Sequence, residues 1–157
     1  MDMKALYQEI INEHNLNPSN KGETEGANLT LRGVNPSCGD NIFIQLKVED
    51  DKIVSGSFTG SGCAISQASV DMMLDNVIGK SKEEALHLAK IFMDMIKNQA
   101  KDEDIELLDE AASLKNISIM PARVKCAVLG WHTMEQMLNT NSSEGNASLS
   151  HCTTEDK

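Results

Sequence analysis

The stretch NIFIQLKVEDDKIVSGSFTG, residues 41–60, decides the fold class of this chain. Apolar and polar side chains alternate from Ile42 to Val48, which is the period of a half-buried strand. Asp-Asp-Lys then marks a turn, and residues 53–60 return as a second strand. The stretch therefore predicts an antiparallel hairpin, and a shorter strand is predicted before it at residues 29–33.

The pattern becomes helical directly after the hairpin. From Cys63, apolar residues recur at helical spacing to about Gly79. Ser81 and Glu84 have the S-x-x-E spacing of a capping box, which predicts the start of another helix. The inward face of that helix is predicted to hold Leu88, Phe92, Met95 and Ile96.

Further helices are predicted on both sides of this region. Residues 3–14 form an amphipathic pattern, residues 101–117 are acidic and indicate one or two short helices, and Pro121 opens a last helix. Residues 140–157 are polar and lack an apolar pattern, which predicts a disordered tail. The predicted fold is α+β: one domain, residues 1–139, in which a small three-stranded antiparallel sheet packs against several helices.

Composition and charge argue against several functional classes. The 157 residues are 40% hydrophobic but only 3% aromatic, so the predicted core is mainly aliphatic. The net charge of -10, without a basic cluster, argues against nucleic acid or an anionic membrane as a partner. No apolar run approaches the roughly 20 residues that span a bilayer, and the first residues lack a signal peptide's apolar stretch. These features predict a cytoplasmic protein, in which cysteines are more often ligands or nucleophiles than disulfide partners.

Three of the four cysteines fall at junctions between predicted elements. Cys38 precedes the hairpin, Cys63 lies where a strand passes into a helix, and Cys126 lies in the first turns of the last helix. Asp40 follows Cys38 across Gly39, which allows a tight turn. Three thiolates and a carboxylate would suit a tetrahedral zinc site. Asp40 could equally be an ordinary turn residue, and each cysteine a small buried hydrophobic residue. Because there is no CxxC pair, the spacing leaves both interpretations open.

The histidines give no comparable signal. His14, His87 and His132 lie on predicted helices without a partner at ligand spacing, so each is interpreted as a surface or a hydrogen-bonded core histidine. His151 and Cys152 fall in the predicted tail, where Cys152 is interpreted as a stray thiol.

Three motifs together are typical of one family. NPSCGD at residues 35–40, GSGCAISQAS at 60–69 and PARVKC at 121–126 resemble the U-type iron–sulfur cluster assembly family, which includes IscU-like and NifU N-terminal-like proteins. The resemblance runs from the first helix to about Asn139. It implies a three-stranded antiparallel sheet packed with helices, which agrees with the fold predicted from the residues alone.

Two departures from the IscU scaffold pattern resemble the SufU branch of this family. Scaffold members typically carry a histidine immediately before the third cysteine, whereas this chain has Lys125 there. The stretch between Cys63 and Cys126 is also about twenty residues longer than in scaffold members when the motifs are aligned. The acidic stretch carries this extra length. The resemblance therefore implies a zinc-dependent sulfurtransferase of the SufU type.

This branch implies specific partners and residue roles. A SufU-type protein accepts persulfide sulfur from a SufS-type cysteine desulfurase and passes it to downstream Suf assembly proteins. The resemblance implies zinc at Cys38, Asp40, Cys63 and Cys126, with Cys38 also the sulfur acceptor. Arg123 matches a basic position that the branch uses near the site. It could equally be a solvent-exposed arginine at the start of a helix, without a role in the site. Two other functions stay open: an IscU-like scaffold for a [2Fe–2S] cluster on the same ligands, and a non-catalytic, zinc-stabilised interaction domain.

Overall fold

The sheet has the predicted antiparallel arrangement. The computed structural model describes residues 3–36, 38–139 and 152–153. Its main strands are β1 (Leu29–Asn35), β2 (Asp40–Glu49) and β3 (Lys52–Ser61), and β2 pairs antiparallel with both neighbours. Ile42, Ile44 and Leu46 are buried, which confirms the alternating pattern of β2. Asp50 and Asp51 both have positive φ angles, 54° and 62°, as a tight hairpin turn requires.

Strand β1 is two residues longer than predicted. Strand β2 begins at Asp40, one residue before its predicted start at Asn41. Val34 and Asn35 of β1 therefore pair with Asn41 and Asp40. This pairing sets Asn35 directly opposite Asp40.

A fourth strand, β4 (Cys152–Thr153), is not predicted by the sequence pattern. It pairs in parallel with Gly33 and Val34 of β1, so the strand order is β3-β2-β1-β4. The rest of the predicted tail, residues 140–151 and 154–157, lies outside the described residues.

The helices follow the predicted order. They are α1 (Met3–Leu16), α2 (Ala64–Val77), α3 (Lys82–Ile96), the short α4 (Asp102–Ile105) and α5 (Pro121–Asn139). Both hydrogen bonds of the predicted capping box between Ser81 and Glu84 are present at the start of α3. A 3₁₀ helix, Glu106–Ile119, follows α4 and is kinked at Asp109. Residues 102–119 are called the acidic segment below. None of the helices in the described ranges is long and apolar enough to cross a membrane.

One aromatic pair stands at the centre of the mainly aliphatic core. The rings of Trp131 in α5 and Phe92 in α3 stack with centroids 4.5 Å apart. The indole Nε1 of Trp131 donates to Ser69 Oγ of α2 at 3.2 Å, and that hydroxyl donates to the Ala127 carbonyl at 2.6 Å. These contacts fix α2, α3 and α5 to one another, so that α5, which contains Cys126, is held against α2, which begins directly after Cys63.

Candidate metal centre

The turn between β1 and β2 presents Cys38 at the surface and buries Asp40. The backbone N–H of Cys38 donates to the Asn35 carbonyl at 3.2 Å. Gly39 has a φ of +75°, a left-handed conformation that other residues rarely adopt. As a result the Cys38 side chain is exposed, whereas Asp40 is only 1% exposed at the end of the sheet.

Helix α5 brings Cys126 to the same turn. Cys126 is fully buried, and its Sγ donates to the Cys38 Sγ at 3.2 Å. The donor atoms of Cys38, Asp40 and Cys126 all lie within 4.8 Å of one another. Three of the residues singled out in the sequence therefore meet at one point.

Cys63 joins this group mainly through its backbone. It is the N-cap of α2, where its Sγ accepts from the backbone N–H of Ser66 at 3.4 Å and its own N–H donates to Asp40 Oδ1 at 2.8 Å. Its Sγ is outside the group of three close donors, but it is near enough to the Cys126 thiol to contribute to raising the pKa of that thiol. Gly62 makes the approach possible, because a Cβ there would lie 2.8 Å from Asp40 Oδ1.

The Asp40 carboxylate is oriented by several donors. Its Oδ1 accepts from the Ser66 hydroxyl at 3.1 Å as well as from the Cys63 N–H. Its Oδ2 accepts from Asn35 Nδ2 at 3.2 Å, and the same amide group lies 3.7 Å from Cys126 Sγ. Both oxygens are therefore held in place, and Oδ2 is the one on the Cys126 side.

Two residues of this arrangement, Asn35 and Ser66, are not marked by the sequence pattern. Asn35 is fully buried, and its Oδ1 has no hydrogen-bond partner in the described part of the chain. In the sequence it looks like an ordinary turn residue before Pro36. Ser66 follows the helix cap Cys63 by three residues, and this cap-like spacing is the one signal that could have identified it.

The electrostatics of the cluster oppose additional negative charge. Burial raises the pKa of the Cys126 thiol well above its ordinary value, and hydrogen bonding to Cys38 and Cys63 acts in the same direction. The nearby charges of Cys63 and Asp40 raise it further. Without a compensating cation, Cys126 therefore remains a protonated donor to Cys38.

The donor set and its spacing fit a zinc ion. Zinc accepts thiolate sulfur and carboxylate oxygen, and at a Zn–S distance of about 2.3 Å two sulfurs of a tetrahedron lie roughly 3.8 Å apart. The donor atoms of Cys38, Asp40 and Cys126 are separated by distances in the same range, from 3.2 Å between the two sulfurs up to the 4.8 Å limit of the group. A divalent cation would also supply the positive charge that this group of thiols and Asp40 lacks.

The two predicted basic residues lie on the first turns of α5, beside the cluster. Arg123 is exposed, and Lys125 is half-buried. Arg123 lines a cavity of about 330 Å³ together with Cys63 and with Ile11 and Asn12 of α1. Arg123 thus lies at the edge of the site rather than among its donors.

The chain is similar in sequence to proteins of iron–sulfur cluster assembly. The chain matches the model of the NifU-like N terminal domain over residues 6–140. It is 39% identical over 141 residues to the iron–sulfur cluster assembly scaffold protein IscU of Streptococcus pyogenes serotype M1, an alignment that covers 90% of this chain and 87% of the relative. It is also 39% identical over 135 residues to the zinc-dependent sulfurtransferase SufU of Bacillus subtilis (strain 168), covering 86% and 90%.

A solved structure shows the same fold. The crystal structure of a proposed iron–sulfur cluster assembly scaffold protein for the SUF system from Fervidobacterium islandicum superposes with a TM-score of 0.79 at 36% identity. The match covers 85% of this chain and 97% of that chain.

Proposed function

The chain belongs to the family of NifU-like N-terminal domains, which includes the iron–sulfur cluster assembly proteins IscU and SufU, and we propose that it is a zinc-dependent sulfurtransferase. It accepts persulfide sulfur from a SufS-type cysteine desulfurase and passes the sulfur to downstream Suf proteins for iron–sulfur cluster assembly.

The observation that carries this proposal is the contrast between two adjacent thiols. Cys38 Sγ and Cys126 Sγ are 3.2 Å apart, yet Cys38 is exposed on a turn and Cys126 is fully buried. A sulfur acceptor has to reach a persulfide on another protein, which only an accessible thiol can do. Lys125, in the place of the scaffold histidine, and the acidic segment favour sulfur transfer over a scaffold role.

The transfer step is a thiol–persulfide exchange. The Cys38 thiolate attacks the terminal sulfur of the desulfurase cysteine persulfide, R–S–SH. A new S–S bond forms on Cys38, the S–S bond of the donor breaks, and the donor cysteine leaves as a thiolate. Cys38 then carries the persulfide, and a second exchange of the same kind delivers the sulfur to the next acceptor.

In this proposal zinc is held by Cys38, Asp40, Cys63 and Cys126. When bound, it supplies the positive charge that keeps the thiols deprotonated and nucleophilic near neutral pH. Asn35 Nδ2 orients Asp40 Oδ2 and the Cys126 sulfur, as partners of metal ligands commonly do.

The test is elemental analysis and a visible spectrum of protein purified without added metal, followed by turnover of a SufS-type desulfurase in its presence. We expect about one zinc per chain, no iron–sulfur chromophore, and increased turnover. A brown protein with near-stoichiometric iron and labile sulfide would favour the scaffold function instead. A zinc protein that leaves desulfurase turnover unchanged would point to the interaction domain.

A further inference from the structure

A second polar cluster lies away from the thiols, where α1, α2 and the acidic segment meet. His14 of α1 is 7% exposed, and its Nδ1 lies 2.6 Å from Asp71 Oδ2 of α2. Its Nε2 lies 2.5 Å from Glu110 Oε1 of the acidic segment. The prediction of a hydrogen-bonded core histidine is thus confirmed at this position. One ring joins three segments that are far apart in the sequence.

The two hydrogen bonds require a protonated ring. A neutral imidazole has one N–H and can donate to only one carboxylate, whereas the imidazolium donates to both. Burial lowers the pKa of His14, but hydrogen bonds and charge attraction from Asp71 and Glu110 outweigh it, so the pKa lies above 6.5. Asp75 of α2, whose carboxylate lies within 4.8 Å of the donor atoms of His14 and Asp71, adds another negative group facing the ring. Both ring nitrogens are thus hydrogen-bonded to carboxylates.

We propose that His14 is a positioning residue whose protonated ring clamps the acidic segment to α1 and α2, and whose deprotonation releases that segment. Asp71 is fully buried, its Oδ1 accepts from the Asn20 backbone at 2.9 Å, and besides His14 the described residues give its Oδ2 only the longer bond from the Ser19 N–H at 3.4 Å, so losing the short bond to His14 is costly. The Glu110 side chain is 61% exposed, so water can replace its hydrogen bond. The neutral ring therefore keeps Asp71 and releases Glu110.

The clamp bears on the site because α1 lines the cavity beside Cys63 and the acidic segment leads directly into another of its lining residues. Ile11 and Asn12 of α1, just before His14, line this cavity. Beyond Glu110, the acidic segment leads into Met120, which lines the cavity together with Arg123 of α5. Releasing the acidic segment therefore loosens the attachment of Met120, while α1 stays attached to α2. The effect on sulfur transfer rests on the proposed function, whereas the clamp itself does not.

The direction of the pH effect follows from the raised pKa. A group whose pKa is higher in the folded than in the unfolded protein stabilises the fold fully below its unfolded value, here about 6.5. That contribution is lost as the pH rises through the folded pKa. We therefore expect the clamp to be closed in mildly acidic solution and open in alkaline solution.

Hydrogen exchange measured by mass spectrometry tests the clamp directly. In peptides from residues 106–117, at about pH 6 and about pH 9 and with exchange times scaled for the intrinsic rate, we expect protection to fall roughly tenfold at the higher pH. Glu110→Gln should keep similar protection at both values, because an amide can accept from a protonated ring nitrogen and donate to a neutral one. His87→Gln, an exposed histidine on α3, is the matched control and should behave like the wild type.

Two exchange results would overturn the clamp: equal protection of wild-type peptides at both pH values, or the same alkaline loss in Glu110→Gln. Its coupling to the site is tested by desulfurase turnover across the same pH range, where the wild type should lose stimulation relative to Glu110→Gln on the alkaline side. Identical profiles, with a clamp seen by exchange, would refute the positioning role. If no protein stimulates at any pH, the proposed function fails, and the exchange data alone decide the clamp.

Discussion

Two polar clusters, one at the start of helix α2 and one around Asp71 further along it, obtain their positive charge in different ways. At Asp71 the carboxylate is hydrogen-bonded to the His14 ring, so the compensating charge comes from the chain itself. At the start of the same helix, the hydrogen-bond partners of the thiols and of Asp40 are other thiols, an amide, a hydroxyl and backbone N–H groups. There the proton stays on Cys126, and a cation from outside is needed to replace it.

This difference separates a structural role from a functional one. A carboxylate with a cationic partner from the same chain helps to hold segments together. The N–H groups of that partner are then already engaged in hydrogen bonds. Thiols crowded together without such a partner form a destabilised group that a metal can occupy, which is typical of functional sites. Four substitutions test this distinction.

Removing the exposed thiol should abolish transfer and leave the fold intact. We expect Cys38→Ser to reduce stimulation of a SufS-type desulfurase by at least about a hundredfold, because a hydroxyl does not replace the thiolate nucleophile. Mass spectrometry should lose the adduct of about 32 Da, one sulfur atom, that the wild type carries on Cys38. Cys152→Ser is the matched control and should retain both. An adduct on Cys63 or Cys126, or normal stimulation by Cys38→Ser, would contradict the assignment of Cys38.

Removing the buried thiol should act on metal content and stability together. Cys126→Ser should lose zinc and reduce the free energy of unfolding by roughly 3 to 5 kcal/mol, because this cysteine ties the start of α5 to the site. Urea unfolding and elemental analysis of the same sample measure both effects. If Cys126→Ser retained zinc and unfolded like the wild type, the thiol cluster would not need a cation from outside. It would then not differ from the Asp71 cluster in the way described above.

The Asp40 side chain should matter for stability as well as for transfer. From the sequence alone, Asp40→Ala is expected to keep zinc and lose transfer. The structure adds that the Cys63 N–H and Asn35 Nδ2 lose their oxygen acceptor, at a cost of about 2 to 3 kcal/mol, whereas the Ser66 hydroxyl can still donate to the Cys63 carbonyl. Asp40→Asn, which keeps one acceptor oxygen, should lose less stability in the same urea titration. Equal stability of Asp40→Ala and the wild type would show that water replaces the carboxylate there.

The smallest effect is expected at the cluster of His14, Asp71 and Glu110, and only at low pH. His14→Gln should lower the free energy of unfolding by about 1 to 2 kcal/mol near pH 6, since exposure of Glu110 weakens part of the clamp. The difference from the wild type should shrink as the pH is raised, because the wild-type ring loses the same charge. Thermal unfolding at several pH values measures this. A constant difference would mean that His14 contributes by packing rather than by charge.

Most of the fold could be predicted because its signals are local. The alternation along β2 and the spacing of Ser81 and Glu84 specify a strand and a helix start within a few residues, and both are confirmed. The proximity of Cys38 and Cys126 could be anticipated from their positions at junctions, where the ends of elements converge. Their role as metal ligands stays a prediction.

The remaining features depend on contacts between distant residues. Asn35 and Cys126 are 91 positions apart, and His14 is 57 positions from Asp71 and 96 from Glu110. Each of these residues alone resembles a turn, surface or helix residue. Only the packing of β1 against α5, and of α1 against α2 and the acidic segment, shows which donors and acceptors meet.

The stacked pair in the core gives the protein an optical reporter. Trp131 is the chain's single tryptophan, fully buried against Phe92 and little more than one turn beyond Cys126 on α5. Indole emission shifts to longer wavelength when the ring enters water, so unfolding can be followed by intrinsic fluorescence without a label. Because the same helix carries a thiol of the site, removing metal from folded protein should change the emission intensity before the wavelength shifts. One emission spectrum can thus distinguish an emptied site from an unfolded chain.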